Sequence, residues 1–210
     1  LTPVGPAMET TETLLSLDDD ALVARVVALG GKRFHAKVAR DAVLRAGVLD
    51  YASMTSLPAA VRGGLAESLP ILGSRLETTS VARDGTTKLL LALPRGAARA
   101  GADGAELTVE TVHIPPHRPR DEDGNLRGAT LCVSSQAGCP VGCPFCASGL
   151  LGLARNLEAH ESVEQFVRGR AVGPLRRAVV MGIGEPLLNR ANLVAALDGP
   201  GLDAAWALEH

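Results

Sequence analysis

All four cysteines of this 210-residue chain lie between Cys132 and Cys146, and three of them, Cys139, Cys143 and Cys146, are spaced C-x3-C-x2-C. Such crowding suits metal ligation in a reducing compartment better than a disulfide framework. Three thiolates on one short loop can hold three irons of a cubane cluster, and the fourth iron is then open to a substrate or cofactor. Gly138, Pro140, Gly142 and Pro144 keep the loop tight enough for its sulfurs to converge. Two other readings stand beside this one. A zinc site would need Cys132 or a histidine such as His113 as fourth ligand, although structural zinc usually draws two separated ligand pairs and no second pair is present. Small buried cysteines are the other alternative.

The segments around the loop set its context. ATLCVSSQ reads as a strand ending near the loop, followed by a helix around His160–Arg170, a strand over Arg177–Met181 and a helix beginning near Asn189. This β-loop-α-β-α order implies parallel strands joined by right-handed crossovers, with function at the carboxyl ends of the strands. The Cys loop and the run Gly182-Ile-Gly-Glu-Pro186 both fall there. Two such units are too few to close a barrel.

Upstream, Asp18 supplies an N-cap for a helix ended by Gly30-Gly31, a second helix covers about Phe34–Arg45, and a third covers about Ala59–Leu69. The period then changes to two. SRLETTSVA and TTKLLLAL flank Arg83-Asp84-Gly85 as a hairpin, and LTVETVHIP adds a third strand. Two polar loops, Pro94–Ala105 and Pro115–Gly128, are expected to be exposed and mobile, the second as a domain boundary. Residues 1–16 are assigned no function, with Met8 as a candidate native start.

The fold class expected is α/β with an α+β N-terminal part. A helical accessory domain over 17–72 and an antiparallel strand region with linker over 73–128 precede the first part of a barrel over 129–210. Aromatic residues make up 2% of the chain, which argues against base recognition on aromatic platforms. A formal charge of −2 argues against an overall polyanion grip, leaving one local basic patch at Lys32, Arg33, His35, Lys37 and Arg40, either an RNA contact or a solvated helix face. No stretch is long and apolar enough for a membrane span, so a cytoplasmic protein with no membrane partner is expected.

C-x3-C-x2-C with an aromatic, here Phe145, just before the last Cys resembles the signature of the radical S-adenosylmethionine (SAM) superfamily. The resemblance implies a [4Fe–4S] cluster on Cys139, Cys143 and Cys146. Its free iron is chelated by the amino and carboxylate groups of SAM, and reductive cleavage yields a 5′-deoxyadenosyl radical. Phe145 would lie near the adenine. Gly184-Glu185-Pro186 resembles the superfamily's GGEP element, which binds the SAM amino group. Gly182 and Gly184 would let backbone approach the ligand, with Glu185 as a charge-assisted acceptor.

VETVHIP, ATLCVSSQAGCPVGCPFCASG, ARNLEAHESVEQ and VVMGIGEPLLN resemble, in order, the bacterial adenine-C2 methyltransferases of 23S ribosomal RNA and tRNA. A related antibiotic-resistance C8 methyltransferase shares the layout. GKRFHAKVARDAVLRAGVLDYASMTSLPAAVRGGLAE resembles their helical accessory domain, so the likeness covers about residues 17–198. It implies Glu110 as the proton acceptor from the methylated adenine and Cys132 as the cysteine that helps resolve the enzyme–RNA adduct. It also assigns Gly184, Glu185 and Asn189 to cofactor binding and implies a flavodoxin-like electron donor. The sequence departs from the family in one main respect, because no cysteine follows Cys146 and the methyl-carrying residue is therefore missing. Leu150 and Leu153 stand where the family often has Lys and Phe. The expectation is the N-terminal portion of such an enzyme, not competent alone for full turnover and prone to self-association through an open sheet edge. The alternative is a short RNA-binding protein with a structural iron–sulfur or zinc site.

Overall fold

The computed structural model describes residues 12–94, 107–118, 120, 124 and 127–198. Asp18 caps α1 (Asp19–Ala28), its Oδ1 accepting the Ala21 N–H at 2.8 Å, and α2 (Arg33–Leu44) and α3 (Ala59–Ser68) follow. Their apolar faces meet in a core that includes Leu22, Val26, Ala39, Val43, Val61 and Leu65. The same core takes in Val163 and Val167 of α4 (Ala159–Val172) and Ala196 of α5 (Arg190–Asp198). The opening helices are thus packed onto the later crossover helices.

One five-stranded sheet runs in the order β1-β2-β3-β4-β7. Strands β1 (Arg75–Val81), β2 (Thr87–Leu93) and β3 (Leu107–Ile114) form an antiparallel meander with its first turn at Arg83-Asp84-Gly85. Strand β4 (Ala129–Cys132) pairs antiparallel with β3 and parallel with β7 (Leu175–Val179). The crossover through α4 therefore joins parallel neighbours, as the alternating pattern requires. The meander and this unit share a continuous hydrogen-bonded sheet, which is mixed and mostly antiparallel.

The strand expected over ATLCVSSQ covers only the first half of that segment. It ends at Cys132, and the chain pairs again as β5 (Gln136–Gly138) with β6 (Leu153–Asn156) in a two-stranded ribbon at the root of the Cys loop. The loop Pro94–Ala105 falls outside the described residues beyond Pro94, as do positions 119, 121–123 and 125–126 of the loop Pro115–Gly128 and residues 1–11.

Along β3, Leu107, Val109, Thr111 and His113 are buried while Glu110 and Val112 are half-buried on the other face. Helix α4 covers the first face. The Gln165 Oε1 accepts the Thr111 hydroxyl and the Ser134 N–H, each at 2.8 Å, while its Nε2 donates to the Ser134 carbonyl at 2.9 Å. Charged side chains of the same helix hold its surroundings. Fully buried Glu164 accepts the Gly73 and Ser74 N–H groups at 2.7 Å, and Arg170 donates to the Leu44 carbonyl at 2.8 Å and the Arg45 carbonyl at 2.9 Å. Arg155 of β6 grips Glu161 with two contacts of 2.6 Å and reaches the Pro94 carbonyl at 2.8 Å. No helix of the described residues is long and apolar enough to cross a membrane.

Candidate metal centre

Cys139, Cys143 and Cys146 occupy one loop hung between β5 and β6. The Cys139 N–H donates to the Gly152 carbonyl at 3.1 Å, which closes the base of the loop, and the Cys146 N–H donates to the Cys143 carbonyl at 3.0 Å, which turns its far end. Gly138 has φ +77°, and a Cβ there would run into the Gly152 carbonyl oxygen, so the base of the loop needs glycine. Cys139 and Cys143 are half-buried, Cys146 is exposed, and none is in a disulfide. Hydrogen bonds from the Ser148 hydroxyl and N–H hold the Cys146 thiol below the ordinary range, favouring the thiolate that binds metal.

Among the described residues no three Cys, His, Asp or Glu side chains stand close enough together to hold a metal ion. The donor set itself, three soft thiols on one closed loop, fits an iron–sulfur cluster with one iron left without a cysteine ligand. The zinc reading gains no fourth ligand. His113 lies on the α4-covered face opposite Leu131, with Gly173 over its ring, and Cys132 lies on the other face. Phe145, just before the last cysteine, is 89% exposed.

The run Gly182–Pro186 follows β7 as expected, but the space its glycines leave is filled by this chain. A Cβ on Gly182 would lie 2.7 Å from the Ser134 Oγ, and one on Gly184 would lie 2.6 Å from the Gln136 Cβ. Close approach of backbone is thus used first to lay the Gly182–Glu185 segment on Ser134–Gln136. The Gly182 N–H bonds to the Val133 carbonyl at 3.0 Å, the Ile183 carbonyl accepts from the Ser135 and Gln136 N–H groups, and the Ile183 N–H bonds to the Ser134 Oγ at 3.0 Å. Glu185 is half-buried and accepts the Leu187 N–H through Oε1 at 3.1 Å, capping a short 3₁₀ turn over Pro186–Asn189. Asn189 is buried, donating to the Ser135 and Leu157 carbonyls at 2.8 Å and accepting from Asn192 at 3.0 Å. Its amide fastens the main chain of two segments.

Glu110 and Cys132 come together on the sheet face opposite α4. Cys132 pairs with Val112 of β3 and Val179 of β7, and Glu110, two residues before Val112, shares their face. The Glu110 carboxylate meets the Lys88 ammonium at 2.8 Å, and its main-chain carbonyl accepts the Ser134 hydroxyl at 2.7 Å. Burial pushes the Cys132 thiol up, opposed in part by a main-chain hydrogen bond with Met181.

The basic patch on α2 is reduced by its own neighbours. Arg40 is buried against Asp19 and the Leu17 carbonyl, Lys37 pairs with Asp41 at 2.7 Å, Arg33 meets Asp20 at 3.4 Å, and His35 caps its helix through the Lys32 N–H. Lys32, Arg33 and Lys37 remain exposed.

No protein-family model matches the chain. It is similar to a probable dual-specificity RNA methyltransferase RlmN of a Synechococcus strain, 36% identical over 95% of this chain and 50% of that protein. A second Synechococcus relative of the same description is 38% identical over 95% of this chain and 52% of that protein. The dual-specificity RNA methyltransferase RlmN of Francisella tularensis subsp. novicida is 35% identical over 94% of this chain and 50% of that protein. Among solved structures, a radical SAM methyltransferase from Sphaerobacter thermophilus is similar with a TM-score of 0.70 at 32% identity, over 90% of this chain and 53% of that one. The chain spans about half the length of the curated relatives it matches.

Proposed function

From homology along nearly its whole length to dual-specificity RNA methyltransferases, we propose that this chain carries the cluster and cofactor loops of a radical SAM enzyme that methylates adenosine C2 in 23S rRNA and tRNA. The observation that carries the reading is the joining of two loops. The three-cysteine loop and the Gly182–Glu185 segment both leave the carboxyl ends of the parallel pair β4 and β7, and main-chain hydrogen bonds bind their roots together. In open α/β units that end is where ligands sit.

In this reading Cys139, Cys143 and Cys146 hold the [4Fe–4S] cluster, whose chemistry is one-electron reduction of SAM to give the radical that attacks an inert C–H bond. Gly184 and Glu185 offer the SAM amino group a main-chain and carboxylate rim, Phe145 supplies an apolar surface for its adenine, and Asn189 holds that rim from behind. Glu110 takes the proton from the substrate carbon, with Lys88 beside it to stabilise the carboxylate. Cys132, kept protonated by burial, waits on the same face to resolve the adduct. The 210 residues span about half the length of those relatives and hold no cysteine after Cys146 to carry the methyl group that this reading calls for, so they are proposed to be inactive in full turnover by themselves. The family resemblance adds a flavodoxin-like electron donor and a cytoplasmic setting to this reading.

Anaerobic reconstitution with iron and sulfide, followed by electron paramagnetic resonance with and without SAM, tests this. A reduced cubane signal that changes on adding SAM is expected. Uptake of zinc in place of iron, or a cubane signal indifferent to SAM, would overturn it.

A further inference from the structure

We infer that Gln136 is a positioning residue for Glu185, and that its carboxamide ties the cofactor loop to the root of the cysteine loop. The inference rests on the reading of Glu185 as a SAM contact and adds a residue that neither the motif nor the sequence likeness assigned. Gln136 opens β5, three residues before Cys139, and its side chain is 0% exposed. Its Oε1 accepts the Glu185 N–H at 2.8 Å and its Nε2 donates to the Asn156 Oδ1 at 2.8 Å. Asn156 in turn donates to the Leu188 carbonyl at 3.2 Å, at the far end of the same turn. One buried amide thus reaches both ends of the Glu185–Leu188 turn, directly at the first and through Asn156 at the second.

The geometry leaves few substitutes. Gly184 has φ +107°, and a Cβ there would stand 2.6 Å from the Gln136 Cβ and 2.8 Å from the Gln136 N, so the glycine of the motif makes room for this glutamine. A buried carboxamide with both halves bonded fixes two partners at once, whereas an apolar side chain of the same length would leave the Glu185 N–H and the Asn156 Oδ1 unpaired. Glu185 then loses the anchor that aims its carboxylate, while the cysteines keep their own closures at Gly152 and Cys143. Gln136 should therefore act on cofactor affinity and leave cluster assembly alone.

The test uses the full chain reconstituted anaerobically, with Gln136→Met to keep the buried volume and remove both hydrogen bonds. Iron and sulfide content, the cluster resonance without SAM, and the SAM dissociation constant by equilibrium dialysis are the readouts. The expected result is unchanged iron and sulfide with SAM bound about tenfold more weakly, the size of one buried hydrogen bond. Arg170→Met, which removes bonds to α2 far from either loop, should lower stability and leave SAM affinity as it was. Should Gln136→Met not fold, Asn156→Ala removes only the outer half of the clamp and should weaken SAM binding by a smaller factor at full iron content. Equal SAM affinity in wild type and variant overturns the inference and leaves the functional reading standing. Loss of iron in step with SAM overturns it too, since Gln136 would then serve the cysteine loop itself. If the wild type builds no cluster, or its cluster ignores SAM, the functional reading fails and the inference falls with it.

Discussion

The α-carbon of Gly138 faces the carbonyl oxygen of Gly152 so closely that a methyl group built on it would penetrate that oxygen. This contact closes the base of the cysteine loop one residue before Cys139, whose N–H bonds to the same carbonyl. Gly138→Ala must therefore both leave φ +77° and push Gly152 away. The combined strain is on the order of 1–3 kcal/mol. Iron and sulfide per chain after reconstitution should drop sharply and the unfolding midpoint should fall; wild-type iron content in the variant would contradict this.

The cysteines should differ in reactivity. Burial raises the Cys132 thiol while Ser148 lowers that of exposed Cys146, so at pH 7.5 the cluster-free protein should be alkylated by iodoacetamide first at Cys146 and much later at Cys132. Peptide mass spectrometry over a time course reads the order directly. Equal rates at the two sites would mean that the thiol environments are not as described.

Glu164→Gln should destabilise the protein strongly. The carboxylate uses both oxygens on the Gly73 and Ser74 N–H groups with Arg168 beside it, and a carboxamide turns an NH2 toward one of them. The cost is about 2–4 kcal/mol, to be measured by urea unfolding. A loss under half a kcal/mol would show that the join between the helices and β1 relaxes freely.

Stability should fall on mild acidification through His113. Both ring nitrogens are buried without a well-aligned hydrogen bond, and burial holds the pKa below the ordinary histidine value, opposed in part by the main chain of His113 and Gly173. A group that binds its proton more weakly when folded contributes fully above the unfolded pKa of about 6.5, and that contribution fades as pH drops through and below this value. Its slope cannot exceed about 1.4 kcal/mol per pH unit. Unfolding free energies between pH 7.5 and 5 should be less steep in His113→Leu than in wild type, and parallel curves would contradict the assignment.

Much of the fold was legible because it rests on local rules. The Asp18 cap, the Gly85 turn and the alternation of β3 each state their structure within a few residues. The parallel pairing of β4 with β7 followed from the strand-helix-strand order. What was hidden depends on contacts between distant segments. Leu-Ala-Arg-Asn at 153–156 carries no strand pattern and pairs only because Gln136–Gly138 lies beside it. The continuity of β3 with β4 crosses a linker, so nothing short-range announced it. At the site, spacing and likeness brought forward the cysteines, Glu110 and Glu185 as candidates, but neither told what the glycines of the Gly182–Glu185 segment lie against. They admit Ser134 and Gln136, and nothing in the polar run Ser134-Ser135-Gln136 marked that contact in advance.

The core that Leu22 and Val61 share with Val163 and Ala196 also sets how the molecule opens. Amide groups of α1, α3 and α4 must exchange with solvent together, as one foldon, because exposing any of them exposes the same apolar surface. Strand β1, exposed at every position, carries no such obligation and can fray alone. A nucleic acid drawn against the opening helices would thus stiffen the crossover behind the cysteine loop, and protection would spread to amides it never touches.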